Sequence, residues 1–269
     1  MKNITYKPYQ KMTPWRKTSV ATWKPTGDSS CYCFEDVIID EILVYCKRNL
    51  ISINSFLIKA FSNTLKLQPK INSTIRGRKI FSREDISVFF HTIIDAQSDD
   101  LSGIVIREGQ DKSVNEINSE FLEKIKDSKE GITDFSESKE VVKKTPSFMV
   151  KPLLKLYSYI SYRFNKNVKA FKSKPNAFGS IMLTSVGSIG ITRAFCPIAP
   201  YTKVPMVVSV GKIDCKPVVV DAKVHIKKML TLGFTFDHRI MDGIHFAEFF
   251  NCLSRYFKNP KLIESDEEE

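Results

Sequence analysis

The C-terminal part of the chain places the strictest limit on its fold. A long β-rich run from Val224 to Phe236 is followed, after only four residues, by the pattern of an amphipathic helix that begins near Met241 and runs to about Phe257. Side chains in such a connection are held on a rigid scaffold and often carry function. His238 lies in this connection, within the segment Phe236-Asp237-His238-Arg239-Ile240-Met241-Asp242-Gly243.

The rest of the chain mixes strand and helix patterns, which predicts one α/β domain over residues 1–269. β-rich runs cover residues 30–39, 72–75, 79–81, 86–94, 103–106, 181–186, 206–210 and 218–220. Helical patterns start near residue 13 and cover 40–47, 52–68, 113–128 and part of 127–144. The runs between residues 71 and 106 are typical of an antiparallel meander. Residues 1–12 are expected to form an irregular arm, and the acidic tail 261–269 is expected to be disordered.

The segment 146–171 is apolar with interspersed lysines and arginines, and two interpretations remain open. It can be a basic amphipathic helix on a membrane surface. It can also be a helix packed on the core or on a neighbouring subunit, which is the more common use of an apolar stripe. We favour the packed helix.

The chain carries a net charge of +11. Residues 264–269 are mostly acidic, so the rest of the chain has a larger excess of positive charge. Such a charge attracts polyanions, including nucleic acid, anionic lipid and a phosphate-rich cofactor such as coenzyme A. Because the lysines are scattered and no nucleic-acid motif is found, we expect no nucleic-acid partner and only a solvated basic surface.

No apolar stretch in the sequence approaches the roughly 20 residues that span a bilayer. The first residues, Met1 to Tyr6, lead into a polar stretch and lack the apolar region of a secretory signal. We therefore expect a soluble, cytoplasmic protein.

The cysteines and histidines outside the candidate site are assigned to structural roles. The six cysteines lack the spacing of a zinc site or the density of a disulfide scaffold, so we expect reduced thiols and no metal. Cys31 and Cys33 alternate with Tyr32 and should lie on one strand face. His91 and His225 are expected to be sheet residues, and the final stretch with helical spacing carries a further histidine, His245, with a packing role.

The segment FDHRIMDG resembles the DHRxxDG signature of dihydrolipoamide acyltransferases, the core subunits of 2-oxoacid dehydrogenase complexes, and the HxxxDG of chloramphenicol acetyltransferases. Further similar stretches follow in family order over about residues 12–260. They are 12–17 (MTPWRK), 51–60 (ISINSFLIKA), 84–88 (EDISV), 183–190 (LTSVGSIG), 197–200 (PIAP) and 208–211. The resemblance implies a chloramphenicol acetyltransferase-like α/β sandwich, in which a large mixed β-sheet has flanking helices.

The same resemblance implies site residues. His238 would be the general base that takes the proton from a thiol, hydroxyl or amine acceptor. Thr184 would stabilise the oxyanion, with its neighbour Ser185 as the alternative, since only one of two adjacent strand residues can face the site. Asp242 would belong to the catalytic site as the partner of Arg16 in a buried ion pair, although its position also suits a helix cap. Gly243 would support the site by permitting close backbone approach.

The resemblance also implies partners. Acyl-CoA would be the acyl donor, the acceptor stays unidentified, and no residue can be assigned to CoA binding. The protein would form a homotrimer, or a higher assembly of trimers, with active sites at the subunit interfaces. No lipoyl domain or covalent lipoyl group is expected in this chain, which points to a free-standing, single-domain relative. The alternative function is a non-catalytic trimeric scaffold that retains the fold.

Overall fold

The computed structural model describes residues 4–8, 29–93, 101–133, 135–168 and 175–265. Its strands are β1 (Tyr6–Pro8), β2 (Ser30–Ile38), β3 (Ser73–Arg76), β4 (Lys79–Arg83), β5 (Ser87–Ile93), β6 (Leu101–Arg107), β7 (Ile181–Ser185), β8 (Met206–Val210), β9 (Asp214–Val220) and β10 (Lys223–Asp237). Its α-helices are α1 (Asp40–Asn49), α2 (Ile53–Leu67), α3 (Val114–Lys129), α4 (Ser136–Lys143), α5 (Ser147–Ser158) and α6 (Gly243–Lys258). These ranges agree with most of the sequence patterns.

The main sheet is large and mixed, as predicted. Six of its strands lie in the order β2-β10-β8-β7-β5-β6, and β9 pairs with the first half of β10. The β7 strand runs parallel to both β5 and β8, whereas β10 is antiparallel to β2, β8 and β9. Because β10 and β8 are antiparallel neighbours, the C-terminal end of β10 lies beside the N-terminal end of β8.

One face of the sheet carries the main core. Alternate residues of β10, among them Leu232 and Phe234, are fully buried against helices α2 and α6. Helix α2 is capped by Ser52, whose side chain accepts a hydrogen bond from the Ser55 amide. Ring contacts of Phe61 with Phe234 and Phe249 join both helices to the strand. This packing fixes α6 relative to the end of β10.

The predicted antiparallel meander over residues 71–106 is wrong. Strands β3 and β4 form a small sheet with β1, while β5 and β6 belong to the main sheet. Local β-propensity identifies strands but not their partners, because pairing depends on non-local contacts. The sequence pattern therefore predicts the four strands but not the sheets to which they belong.

Both chain ends differ in part from the sequence expectations. Residues 6–8 of the predicted irregular arm pair with β4 as strand β1. In the predicted disordered tail, residues 261–264 belong to a 3-10 helix, Pro260–Glu264. Ile263 is fully buried in the core, and Glu264 accepts a 2.6 Å hydrogen bond from the Val114 amide. Ile263, together with the partly buried Leu262, therefore anchors this part of the acidic tail on the core.

The segment 146–171 forms α5 and a π-helical turn, Tyr159–Arg163. Helix α5 buries only Tyr157 and Ser158, whereas Phe148 is 81% exposed. Packing of this helix within the chain is thus confined to its C-terminal end, and packing on a neighbouring subunit stays a prediction. Across the described residues, no helix is both long and apolar enough to cross a bilayer.

All six cysteines are free thiols. Cys31 and Cys33 both pack against the main core from the same face of β2, as predicted. The described residues contain no group of three or more potential metal ligands.

Candidate active site

The candidate site is a tight turn between β10 and α6, as the sequence predicted. The amides of Ile240 and Met241 both donate to the carbonyl of Asp237, at 2.9 and 3.1 Å. The side chains of Ile240 and Met241 are buried, and this burial anchors the turn in the domain. The His238 amide donates to the carbonyl of Ser29 at 2.8 Å, so the chain before β2 fixes the backbone of the histidine.

The residues before and after His238, Asp237 and Arg239, form an ion pair with each other. The Arg239 guanidinium donates to both carboxylate oxygens of Asp237, through Nε at 2.9 Å and through Nη2 at 2.6 Å. The Arg239 amide and the Ser29 hydroxyl add hydrogen bonds to the same carboxylate. Since Asp237 is 8% exposed, the carboxylate of this bidentate pair is shielded from solvent, while Arg239 is partly exposed. It limits the movement of the backbone on both sides of the histidine.

Asp242 caps α6, one of the roles considered for it. Its backbone is extended, and its Oδ1 accepts a hydrogen bond from the His245 amide at 3.4 Å. The same oxygen lies 2.6 Å from Nδ1 of His245, so this histidine contacts the cap in addition to any packing role. Arg16, the partner that the resemblance implied for Asp242, lies outside the described residues. That ion pair stays a prediction.

The close approach expected at Gly243 is not made within the described part of the chain. No described atom lies within 4 Å of the position that a Cβ would take there. Gly243 is the first residue of α6 and lies at the surface. Its role in supporting the site therefore stays a prediction for contacts outside this part of the chain.

Thr184 lies in β7 between two polar neighbours. It pairs with His91 of β5 on one side and with Ser209 of β8 on the other. Thr184 is half-buried and shares its sheet face with Met182, whereas Ser185 points to the opposite face. Burial lowers the pKa of His91 to about 4, so its imidazole is neutral beside Thr184 at neutral pH.

Within one chain, Thr184 and His238 lie far apart. Thr184 is level with Ser209, which in turn pairs with Gly233 of β10. From Gly233 the strand continues for four residues to Asp237, about 13 Å further along, and His238 follows. Thr184 and His238 of the same chain therefore cannot act on the same carbonyl group.

A cleft of about 860 Å³ borders the turn on the side of Asp237 and Arg239. Its other walls are formed by α5, the π-helical turn, β3 and the segment 198–204. Lys203 lies in this wall, and the pKa of its ammonium is lowered by burial and by the nearby Arg239 guanidinium, with Asp237 opposing the shift.

Comparison with known proteins assigns the chain to a family. The family model of the 2-oxoacid dehydrogenases acyltransferase catalytic domain matches residues 31–143 and 164–264, more than half of the chain. The chain belongs to the 2-oxoacid dehydrogenase acyltransferase family. The matched ranges include Thr184, His238 and Asp242. They leave out residues 144–163, which hold α5 and the π-helical turn.

Individual members of this acyltransferase family and its fold relatives agree with the assignment. The lipoamide acyltransferase component of the Pseudomonas putida branched-chain alpha-keto acid dehydrogenase complex is 31% identical over 100 residues, 36% of this chain and 22% of that relative. The cubic core of a pyruvate dehydrogenase multienzyme complex superposes with a TM-score of 0.62 at 19% identity, covering 95% of this chain and 94% of that one. A chloramphenicol acetyltransferase superposes with a TM-score of 0.53 at 9% identity, covering 94% and 100%. The two superpositions confirm the predicted chloramphenicol acetyltransferase-like fold.

Sequence reasoning considered Arg239 for orienting the loop or meeting a neighbouring chain, but it missed the contacts that support the turn. A carboxylate at the end of an apolar strand with an arginine two positions later was a visible signal for the Asp237–Arg239 pair. The spacing of Asp242 and His245 indicated a helix cap, but it did not indicate that the two side chains contact each other. Lys203 had no local signal, because only the tertiary fold brings it to Arg239.

Proposed function

We propose that this family member transfers an acyl group between a CoA thioester and a thiol, hydroxyl or amine acceptor, with His238 as the general base. The observation that carries the proposal is the position of His238. It lies in a braced turn within the region that the acyltransferase family model matches. Its backbone amide is held by the Ser29 carbonyl, and a general base must be carried on a backbone that is fixed relative to the reacting group.

The proposed reaction proceeds by attack on the thioester carbonyl. His238 takes the proton from the acceptor as the acceptor atom bonds to the carbonyl carbon. The negative charge that develops on the carbonyl oxygen is stabilised by the hydroxyl of Thr184. When the tetrahedral intermediate collapses, the carbon–sulfur bond breaks and the proton passes from His238 to the departing CoA thiolate. The protein ends each turnover in its starting protonation state.

The distance between Thr184 and His238 supports a site shared between two chains. A homotrimer in which His238 of one subunit faces Thr184 of the next would bring the two groups to the same carbonyl. The likeness to the cubic core of a multienzyme complex supports an assembly of this kind, or a higher assembly of trimers. Either assembly makes the site incomplete in a single chain.

Exposed apolar side chains also support assembly. Val219, Val224 and Ile226 lie on one face of the β9–β10 hairpin and are 70%, 71% and 77% exposed. An apolar patch of this kind is typical of a protein–protein interface. The cytoplasmic location, the absence of a nucleic-acid partner and the single-domain organisation stay predictions of the sequence.

Removing the imidazole of His238 tests the proposal. In an assay of acetyl-CoA with dihydrolipoamide, an alcohol and an amine as acceptors, His238→Ala is expected to lower kcat about 10²- to 10⁴-fold. His225→Ala removes an exposed histidine and is expected to keep full activity. Unchanged turnover in His238→Ala would contradict the mechanism. If the wild-type protein neither binds acetyl-CoA in calorimetry nor turns it over, the scaffold function is favoured instead.

A further inference from the structure

Helix α5 and the π-helical turn form a wall that stands away from the main core. The helix contains Pro152, exposes most of its side chains and buries only Tyr157 and Ser158, while the turn after it buries Ser161 and Tyr162. The 860 Å³ cleft lies between this wall and the Asp237–Arg239 turn. A volume of this size suits a small-molecule ligand.

The inner surface of the cleft is largely apolar. Leu154 and Tyr162 line it from the α5 side, and Ile198, Val204 and Ile240 line it from the body of the domain. Val204, Ile240 and Tyr162 are buried side chains, so this surface is set by the packed domain. A ligand that fills it must carry an apolar portion.

The charged lining residues are cationic with the exception of Asp237. They are Arg76, Lys151, Lys155, Arg163, Lys203 and Arg239. Asp237 pairs with Arg239 and also attracts Lys203, but one carboxylate cannot neutralise six cations. The lining therefore has a strong positive potential beside an apolar surface.

The fold packs one of these cations, Arg163, against a turn and brings another, Lys203, close to Arg239. Nη1 of Arg163 lies 3.0 Å from the place where a Cβ would be added at Gly77, a residue with φ of +63°, so the guanidinium packs directly on the β3–β4 turn. Lys203 lies near enough to Arg239 for the two charges to interact, and this repulsion contributes to the lowered pKa of Lys203. An anion between Lys203 and Arg239 would relieve that repulsion.

We propose that the cleft is a binding site for an anionic amphiphile, with its apolar part against α5 and its phosphate or carboxylate head near Lys203 and Arg239. This site goes beyond the proposed acyl transfer, and its wall lies in the segment that the family model does not match. Since Arg239 also braces the turn that carries His238, the head group contacts a residue that positions the catalytic turn. The amphiphile comes either from solution or from the surface of a membrane.

Calorimetry with monomeric decyl phosphate tests the site without any acyl transfer. We expect decyl phosphate to bind at least about tenfold more tightly than inorganic phosphate, which lacks the chain, or decyl maltoside, which lacks the charge. Equal affinity for decyl phosphate and decyl maltoside would overturn the proposal, and so would binding of inorganic phosphate as tight as that of decyl phosphate.

Variants of the wall locate the binding. The double variant Lys151→Glu with Lys155→Glu reverses two exposed charges of the cleft and is expected to weaken binding at least about tenfold. Lys126→Glu with Lys129→Glu makes the same change of charge on the exposed face of α3, away from the cleft, and should leave affinity unchanged. Leu154→Trp, which fills the apolar part, should also weaken binding. Equal losses in both double variants would show unspecific attraction and reject the site.

Vesicles separate the two sources of the amphiphile. Cosedimentation with phosphatidylglycerol vesicles but not phosphatidylcholine vesicles, lost in Leu154→Trp, supports a membrane lipid. Calorimetric binding of decyl phosphate without cosedimentation supports a soluble ligand. If the wild-type protein shows neither, the proposal is wrong, whatever the outcome for acyl transfer.

Discussion

The Arg239 guanidinium donates two hydrogen bonds to the Asp237 carboxylate, at 2.9 and 2.6 Å. These two residues flank His238 in the sequence. The pair spans two positions of the chain, so it locks the conformation of the residue between them. The backbone of His238, the proposed base, is therefore restrained by its direct neighbours in sequence and by the carbonyl of Ser29.

Replacing Arg239 should loosen the turn. Arg239→Gln leaves the shielded Asp237 without its cation, and we expect the free energy of unfolding to fall by about 1–3 kcal/mol. The kcat for acyl transfer should fall as well. Arg48→Gln, at the exposed end of α1, is the matched control and should change neither quantity. Urea denaturation and the acetyl-CoA assay measure the two effects, and equal behaviour of both variants would contradict the bracing role.

Mixed oligomers should reveal that the site is shared between chains. His238→Ala and Thr184→Val are each expected to be nearly inactive, since the lost hydroxyl alone costs about 3 kcal/mol. In trimers formed randomly from equal amounts of both, about one quarter of the interfaces pair an intact His238 with an intact Thr184. Co-expression should therefore restore about a quarter of the wild-type activity.

The complementation experiment has a direct control. Mixing His238→Ala with the double variant that carries both changes leaves every interface without the histidine and should restore nothing. If mass spectrometry shows mixed trimers of the two single variants but activity does not return, Thr184 and His238 do not share a site.

The stability of the protein should fall as the pH falls below 6.5. Burial lowers the pKa of His91 from 6.5 to about 4. Between these values the unfolded chain holds a proton that the folded protein excludes, so His91 contributes stability that is present above pH 6.5. This contribution, on the order of 3 kcal/mol, is lost as the pH falls toward 4.

Equilibrium unfolding from pH 7 to pH 4 in His91→Gln should show a flatter pH dependence than in the wild type. His225→Gln, which changes an exposed histidine, should keep the wild-type slope. An unchanged slope in His91→Gln would show that His91 is not the group responsible.

Gly103 provides the space for the ring of Phe89. A Cβ at Gly103 would overlap this ring, which also contacts Phe135 and Phe178. Gly103→Ala should therefore lower the free energy of unfolding by about 1–3 kcal/mol. Phe89→Leu removes the overlap, so the double variant should lose less stability than the sum of the two single changes. Strict additivity in denaturant unfolding would contradict this contact.

The sequence determined most of the helices and strands and the position of the candidate base. The alternation in Val224–Phe236 and the helical spacing after Asp242 are local patterns, and both match β10 and α6. Local apolar and capping patterns also predicted α2 and α3 to within a few residues. The resemblance of the FDHRIMDG segment then indicated the family, since a short motif survives where overall identity is low.

Only the tertiary structure decided which elements pair and which charges meet. The pairing of β4 with β1, the anchoring of Ile263 and the approach of Lys203 to Arg239 depend on contacts between residues far apart in sequence. The register across β7, β8 and β10 separates Thr184 and His238 along the strand direction, toward opposite ends of the strands. Two separate sequence motifs indicate the two residues, but the distance between them depends on the direction and stagger of strands, which non-local packing sets.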